Sequence, residues 1–320
     1  MNNQLEIGRR KFLKMSSQAV ISIPFINFKL KMNPSSKNQI CIFSKHLHWL
    51  DFKEVGEFSR KLGFDGIDLT VRKGGHVPPD QVEELLPKAV AEIRSAGVEV
   101  PMMATDVNDA DDPLTEKILK TASQNGIKYY RMAYYRYDPN LEIIDNLKLF
   151  RVKMEKLANL NAKYNICGVY QNHAGNYVGA SIWDIYYLAN GLDQRYIGSQ
   201  FDPRHAVVEG GQSWPVDMKL IKDYISCSVM KDFVWEKING KWTVKNVPLG
   251  EGMVDFDQYF KMYKQFGLSG PFTLHIEYPM FPGPEEQFNK KEKTEMAAKI
   301  LEKELVFIKN HLEKSGITER

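Results

Sequence analysis

The chain has 320 residues, 43% of them hydrophobic and 26% charged, which is a globular balance and not that of a disordered or fibrous chain. A formal net charge of +3 is too small for a nucleic-acid footprint, and the chain shows no basic stripe, DNA or RNA motif or low-complexity tract. Cys41, Cys167 and Cys227 are odd in number and each sits in an apolar run, which argues for buried free thiols and against a disulfide framework or a cysteine metal site.

The first element is Arg9-Arg10-Lys11-Phe12-Leu13-Lys14, followed by an apolar stretch from Ala19 to Phe28 that Ser22 and Pro24 interrupt. This order reads as a twin-arginine export signal, so residues 1–35 are expected to be signal and linker and residues 36–320 the folded part. The apolar stretch is shorter than the ~20 residues a spanning helix needs, so no stable membrane anchor is expected. The expected location is the periplasm.

From Gln39 onward short apolar runs alternate with amphipathic stretches. Ile40–Phe43 reads as a strand, and Asp51 as the N-cap of a helix to Leu62. Gly66–Val71 is the second strand, with a helix from Pro79 to Ser95. Val98–Met103 is the third, with a helix from Pro113 to Gln124. Tyr129–Tyr134 is the fourth, with a long helix to Ala162. Ile166–Gln171 is the fifth, with a helix at Ser181–Ala189. Ile197–Asp202 is the sixth, with a short helix from Pro215. Ser226–Phe233 is the seventh, and Asn239-Gly240 after it signals a hairpin within Trp235–Val247. Phe272–Glu277 is the eighth, and a terminal helix covers Glu285–Leu312.

Strands alternating with helices predict parallel βαβ units, and about eight such units predict a single-domain α/β fold, the (β/α)₈ TIM barrel. Gly63, Gly97, Gly126 and Gly267 each stop a helix ahead of a strand. The rival, a doubly wound open sheet, carries a glycine-rich turn after its first strand. Here that turn reads Ser44-Lys45-His46-Leu47-His48, without glycine.

Six of the seven histidines fall within or after strands: His46 and His48, His76, His173, His205 and His275. In a barrel, strand C-terminal ends converge on one face, so these side chains are expected in one bowl. Asp202 ends strand six, Glu277 ends strand eight and Asp68 lies in strand two. Oxygen and imidazole ligands suit Mn²⁺, Mg²⁺, Co²⁺ or Zn²⁺, and Asp202 and Glu277 are the leading metal ligands on this reading. His173, His205 and Lys231 are the candidate proton carriers. Arg72 and His76, with Arg131 and Tyr134 at the exit of strand four, join His46, His48 and Asp68 as candidate substrate contacts.

From Ile40 onward the chain resembles the sugar phosphate isomerase/epimerase superfamily, the xylose isomerase-like barrels. The resemblance rests on Gly63-Phe64-Asp65-Gly66-Ile67-Asp68-Leu69, Tyr170-Gln171-Asn172-His173, Asp202-Pro203-Arg204-His205, Lys231-Asp232, Pro248-Leu249-Gly250-Glu251-Gly252 and Glu277. It implies a divalent metal held by acidic and histidine side chains at strands five to eight. Asp202 and Glu277 match that pattern, Gln171 stands in place of a glutamate and Val229 in place of a histidine. On the resemblance His173 or His205 would supply the missing ligand, which gives Asp202, Glu277, Gln171 and His205 as the metal set.

The implied function is a metal-dependent sugar isomerase/epimerase working through an enediolate, with a small carbohydrate as substrate and no nucleic-acid partner. Gln171 cannot act as a carboxylate base. β-Elimination on 3-keto-glycosides and a non-catalytic sugar-binding barrel therefore stand as alternatives, with endonuclease action on abasic DNA set aside on charge. Assembly as a homo-oligomer is left open.

Overall fold

A computed structural model describes residues 38–317, and the expected export segment lies outside the described residues. The barrel strands are β1 (Ile40–Phe43), β2 (Gly66–Val71), β3 (Glu99–Thr105), β4 (Tyr129–Arg131), β5 (Cys167–Gln171), β6 (Ile197–Phe201), β7 (Ile225–Met230) and β10 (Phe272–Leu274). β8 (Asp232–Ile238) and β9 (Lys241–Val247) form a separate antiparallel hairpin. The eight barrel strands pair in parallel, and β1 closes the ring against β10. Around them run α1 (Phe52–Leu62), α2 (Val82–Ser95), α3 (Thr115–Gln124), α4 (Ile143–Tyr164), α5 (Ile182–Ala189), α6 (Pro203–Gly210), α7 (Trp214–Ile221), α8 (Phe256–Gln265) and α9 (Lys290–Lys314).

The helix ends follow from local chemistry. At the start of α1 the Asp51 carboxylate accepts the Glu54 amide and the Glu54 carboxylate accepts the Asp51 amide, each at 2.9 Å. At its end Gly63 takes φ 89°, a left-handed conformation that costs a residue without Cβ little.

Strand alternation sorts the apolar residues into two clusters. Outward residues such as Ile42, Leu69, Tyr130, Phe201, Met230 and Leu274 pack with the helices in the main core. Inward ones, Met102, Cys167, Val169 and Cys227, make a separate small cluster that plugs the barrel. All three cysteines are free and buried, as the sequence implies.

Four features near the mouth depart from the sequence reading. β4 ends at Arg131 and β10 at Leu274, short of Tyr134 and Glu277, because the chain leaves the ladder where it reaches the mouth. A helix unseen in the sequence, α6, starts directly after β6, where Asp202 Oδ1 accepts the His205 amide at 3.0 Å and Pro203 opens the first turn. The seventh strand stops at Met230, and Asp232 begins the hairpin. Asp232 Oδ1 accepts the amides of Phe233 and Val254, and Oδ2 those of Gly250 and Gly252, at 2.8–3.1 Å. One buried carboxylate thus folds the loop after β9 back onto the end of β7 and fixes the backbone beside Lys231. No helix among the described residues is long and apolar enough to cross a membrane.

Candidate active site at the barrel mouth

Inward parity carries Gln171 from β5, Asp202 from β6, Lys231 from β7 and Glu277 from β10 to the same end of the barrel. Asp202 is fully buried, and Lys231 is 5% exposed. Asp202 Oδ2 accepts the Gln171 side-chain amide at 2.8 Å and pairs with Lys231 Nζ at 3.0 Å. Lys231 Nζ lies 2.9 Å from His205 Nε2 and 3.9 Å from Glu277 Oε1, so one ammonium stands between two carboxylates. Asn172 holds the frame, exchanging two hydrogen bonds with the Asp202 backbone at 2.7 and 2.8 Å.

The other end of the Gln171 amide is also engaged. Its Oε1 accepts the Tyr134 hydroxyl at 2.6 Å and Arg131 Nη1 at 3.3 Å. A glutamate here would turn one oxygen toward the Asp202 carboxylate, whereas the amide presents an acceptor to Arg131 and a donor to Asp202. Burial raises the Tyr134 phenol to about 12.

The two mouth histidines are held by different partners. The His173 Nδ1 donates to the Ala174 carbonyl at 2.9 Å, which leaves Nε2 as a free lone pair. Burial, then the Lys231 charge, hold its pKa below the usual value. His205 Nδ1 accepts the Ala174 amide at 3.0 Å and lies 2.8 Å from Arg204 Nη1, and its Nε2 lies 3.6 Å from Asp202 Oδ2. Burial, then Lys231, keep its pKa far down. The two rings stand 4.1 Å apart between centroids.

Beneath this layer His275 stacks on Phe43 at 4.3 Å, with Nδ1 3.9 Å from Glu277 and Nε2 3.8 Å from Asp68. Asp68 Oδ2 accepts the Thr273 hydroxyl at 3.1 Å, and burial raises its carboxyl to about 6. Asp68 Oδ1, His275 Nε2, Arg131 Nε and both side-chain polar atoms of Gln200 are buried without a partner among the described residues. Such atoms are costly in a dry core, so they mark this well as polar. Arg72 reaches the same region, its guanidinium 5.4 Å from the Phe43 ring centre.

Three expected contacts are used elsewhere. His46 is buried, and its Nε2 accepts the Ile276 amide at 2.9 Å, tying the exit of β1 to that of β10. His48 lies on the outside, 3.0 Å from Glu285. His76 is held by Thr70, whose hydroxyl accepts its amide at 2.9 Å and contacts its ring at 3.1 Å. The hairpin adds residues that sequence reasoning missed. Arg204 Nη2 donates to Asn246 Oδ1 at 2.6 Å, and Asn246 Nδ2 donates to the Glu277 carbonyl at 3.2 Å. No periodicity or motif marks Asn246. Arg204 was legible only as part of the Asp202-Pro203-Arg204-His205 run.

The donor set does not fit the divalent ion expected from the sequence. Lys231 Nζ lies between the two carboxylates, 3.0 Å from Asp202 Oδ2 and 3.9 Å from Glu277 Oε1. Gln171 turns its donor end, not its oxygen, toward Asp202. A metal-bound histidine donates its other ring N–H to an acceptor, but His205 Nδ1 faces two donors.

A closed parallel barrel with a charged, partly buried constellation at its C-terminal mouth defines the class of (β/α)₈ barrels that carry small-molecule sites. The chain belongs to the xylose isomerase-like TIM barrel family, whose model matches residues 57–303. Solved structures share this fold at low identity. D-allulose 3-epimerase from Methylomonas sp. is 16% identical with a TM-score of 0.62, covering 86% of this chain and 98% of that one. The 3-keto-D-glucoside 4-epimerase from E. coli is 14% identical with a TM-score of 0.60, covering 83% and 99%. A probable 3-DHS dehydratase of petrobactin synthesis from Bacillus anthracis is 14% identical with a TM-score of 0.62, covering 85% and 98%. No curated protein matches the chain.

Proposed function

We propose that this chain is a carbohydrate isomerase/epimerase that removes the proton on the carbon next to a sugar carbonyl and returns it through an enediolate. The observation that carries this reading is the pairing of Glu277 and Lys231 at the mouth, 3.9 Å apart, a base beside an electrophile. Glu277, one-third exposed, is the base that faces solvent and substrate. Lys231 and Arg131 donate to the carbonyl oxygen as negative charge grows on it. His173, with Nε2 free, carries the proton between oxygen atoms. The partnerless atoms of Asp68, His275, Arg131 and Gln200 supply donors and acceptors suited to sugar hydroxyls. The names of the two epimerases of shared fold agree with this class of chemistry.

One observation favours a second reading. Both ends of the Gln171 amide are taken, so Glu277 is the one carboxylate at this point of the mouth without a close hydrogen-bond partner. A single base serves aldose–ketose isomerisation, or β-elimination from a 3-keto-glycoside, but not an exchange using carboxylates on both faces of the carbon. In elimination Glu277 takes the α-proton and the C–O bond to the aglycone breaks, the leaving oxygen receiving a proton from solvent.

The test is incubation in D₂O with ketoses and with a 3-keto-glycoside, followed by NMR. Deuterium beside the carbonyl with sugar interconversion is the expected result. Released aglycone with an unsaturated ketosugar selects elimination. Saturable sugar binding with neither outcome would overturn the enzyme reading in favour of a binding barrel. Periplasmic export stays part of the proposal, supported by Arg9-Arg10 and the apolar stretch behind them. Replacing both arginines by lysine should leave the protein in the cytoplasmic fraction.

A further inference from the structure

We propose that the Lys231 ammonium stands in the position of a divalent cation, so that the mouth is held together by a tethered cation and takes up no metal. The inference concerns the site itself and does not depend on which reaction it performs. The two carboxylate oxygens a metal would need, Asp202 Oδ2 and Glu277 Oε1, lie 3.0 and 3.9 Å from Nζ. The remaining contacts of Asp202 are neutral donors, the Gln171 amide and the His205 backbone N–H. A neutral amide at position 171 carries one negative charge fewer than a carboxylate would, which matches a cation of charge one instead of two. Val229, one inward step below Lys231 on β7, is apolar and buried and offers no ligand. The four amides on Asp232 pin the backbone next to Lys231, so the ammonium is placed by the fold and not by a free chain end.

The test is a titration of the full chain with Mn²⁺ and with Zn²⁺ after chelator treatment, read by metal analysis and by thermal melting. Wild type is expected to take up no ion that Asp202→Asn removes, and its melting temperature should not move. Lys231→Ala vacates the position, and Mn²⁺ or ethylammonium should raise its melting temperature by about 2 °C or more. One ion per wild-type chain, abolished by Asp202→Asn, would overturn the proposal. So would a folded Lys231→Ala protein that responds to neither cation. If Lys231→Ala does not fold, the wild-type titration decides alone. None of these readouts uses enzymatic activity, so a failed sugar assay and a failed cation assay are separate results.

Discussion

The histidines at the exits of β1 and β2 and those at the exits of β5 and β6 occupy equivalent places in the chain and meet different fates. His173 and His205 pack against each other over the mouth, 4.1 Å between ring centroids and tilted by 34°. His46, His48 and His76 end respectively on a backbone amide, on a surface glutamate and on a threonine hydroxyl. The difference lies in what the chain does after each strand. His173 keeps the inward parity of Gln171 two residues on, and His205 is drawn in by the cap that Asp202 places on α6. After β2 the chain turns back on itself, so that the Val77 amide bonds the Thr70 carbonyl and His76 is carried away from the mouth. Nearness to a strand end is therefore a weaker guide than unbroken alternation or a cap.

Glu277→Gln gives the largest effect expected on activity. The base is lost while the side chain keeps its shape, so proton exchange at the substrate carbon should fall by about 10²–10⁴-fold. The unfolding free energy should move by less than about 1 kcal/mol, because Glu277 is partly exposed and has no ion-pair partner closer than 3.9 Å. Exchange rates by NMR and a urea melt, taken together, check this. An unaltered exchange rate would remove Glu277 from its role.

Lys231→Met tests the same cluster through stability. It leaves the Asp202 carboxylate buried with neutral donors alone, and breaking a buried pair from one side costs about 3–5 kcal/mol. A loss below about 1 kcal/mol in urea would mean that the ammonium and Asp202 are not paired in solution, and the contrast between the two halves of the barrel would weaken.

Much of the barrel was legible in the sequence, because helix, stop-glycine and strand repeat with little interruption. Gly63, Gly97, Gly126 and Gly267 all take positive φ, as helix-ending glycines do. The Asn239-Gly240 hairpin was equally plain, since both residues take the positive φ its turn needs. Parity placed Asp202, Lys231, Gln171 and Glu277 at one end of the barrel, yet their partnership was not legible. That a lysine sits between the carboxylates depends on where β7 ends, and the three long-range amide bonds of Asp232, from Gly250, Gly252 and Val254, set that end. His46 and His48, two residues apart, look alike in the sequence, and only the position of Ile276 and Glu285, more than two hundred residues on, separates them.

His46→Gln sharpens the comparison by way of pH. Burial lowers the His46 imidazole to about 3 in the folded chain, against about 6.5 when unfolded. A depressed folded value means that its contribution is fully present above pH 6.5 and is lost as pH falls below that, because the unfolded chain takes up the proton first. Between pH 7.5 and pH 5 this one residue should account for roughly 2 kcal/mol of lost stability. Glutamine can still accept the Ile276 amide but does not titrate. Urea midpoints at the two pH values should therefore lie closer together in the variant. Equal spacing in both proteins would mean that His46 is not locked as the neutral acceptor.

His48→Ala is expected to do the least. The ring is about half exposed, and its pairing with Glu285 at 3.0 Å is a surface contact of the kind that contributes little, about 0.5 kcal/mol or less. Proton exchange should be unchanged, since among the described residues no hydrogen bond links His48 to Asp202, Lys231 or Glu277. A clear loss of exchange in His48→Ala would mean that the loop after β1 reaches the substrate after all. The active mouth would then include the loop after β1 as well as the strands that carry Asp68, Arg131, Gln171, Asp202, Lys231 and Glu277.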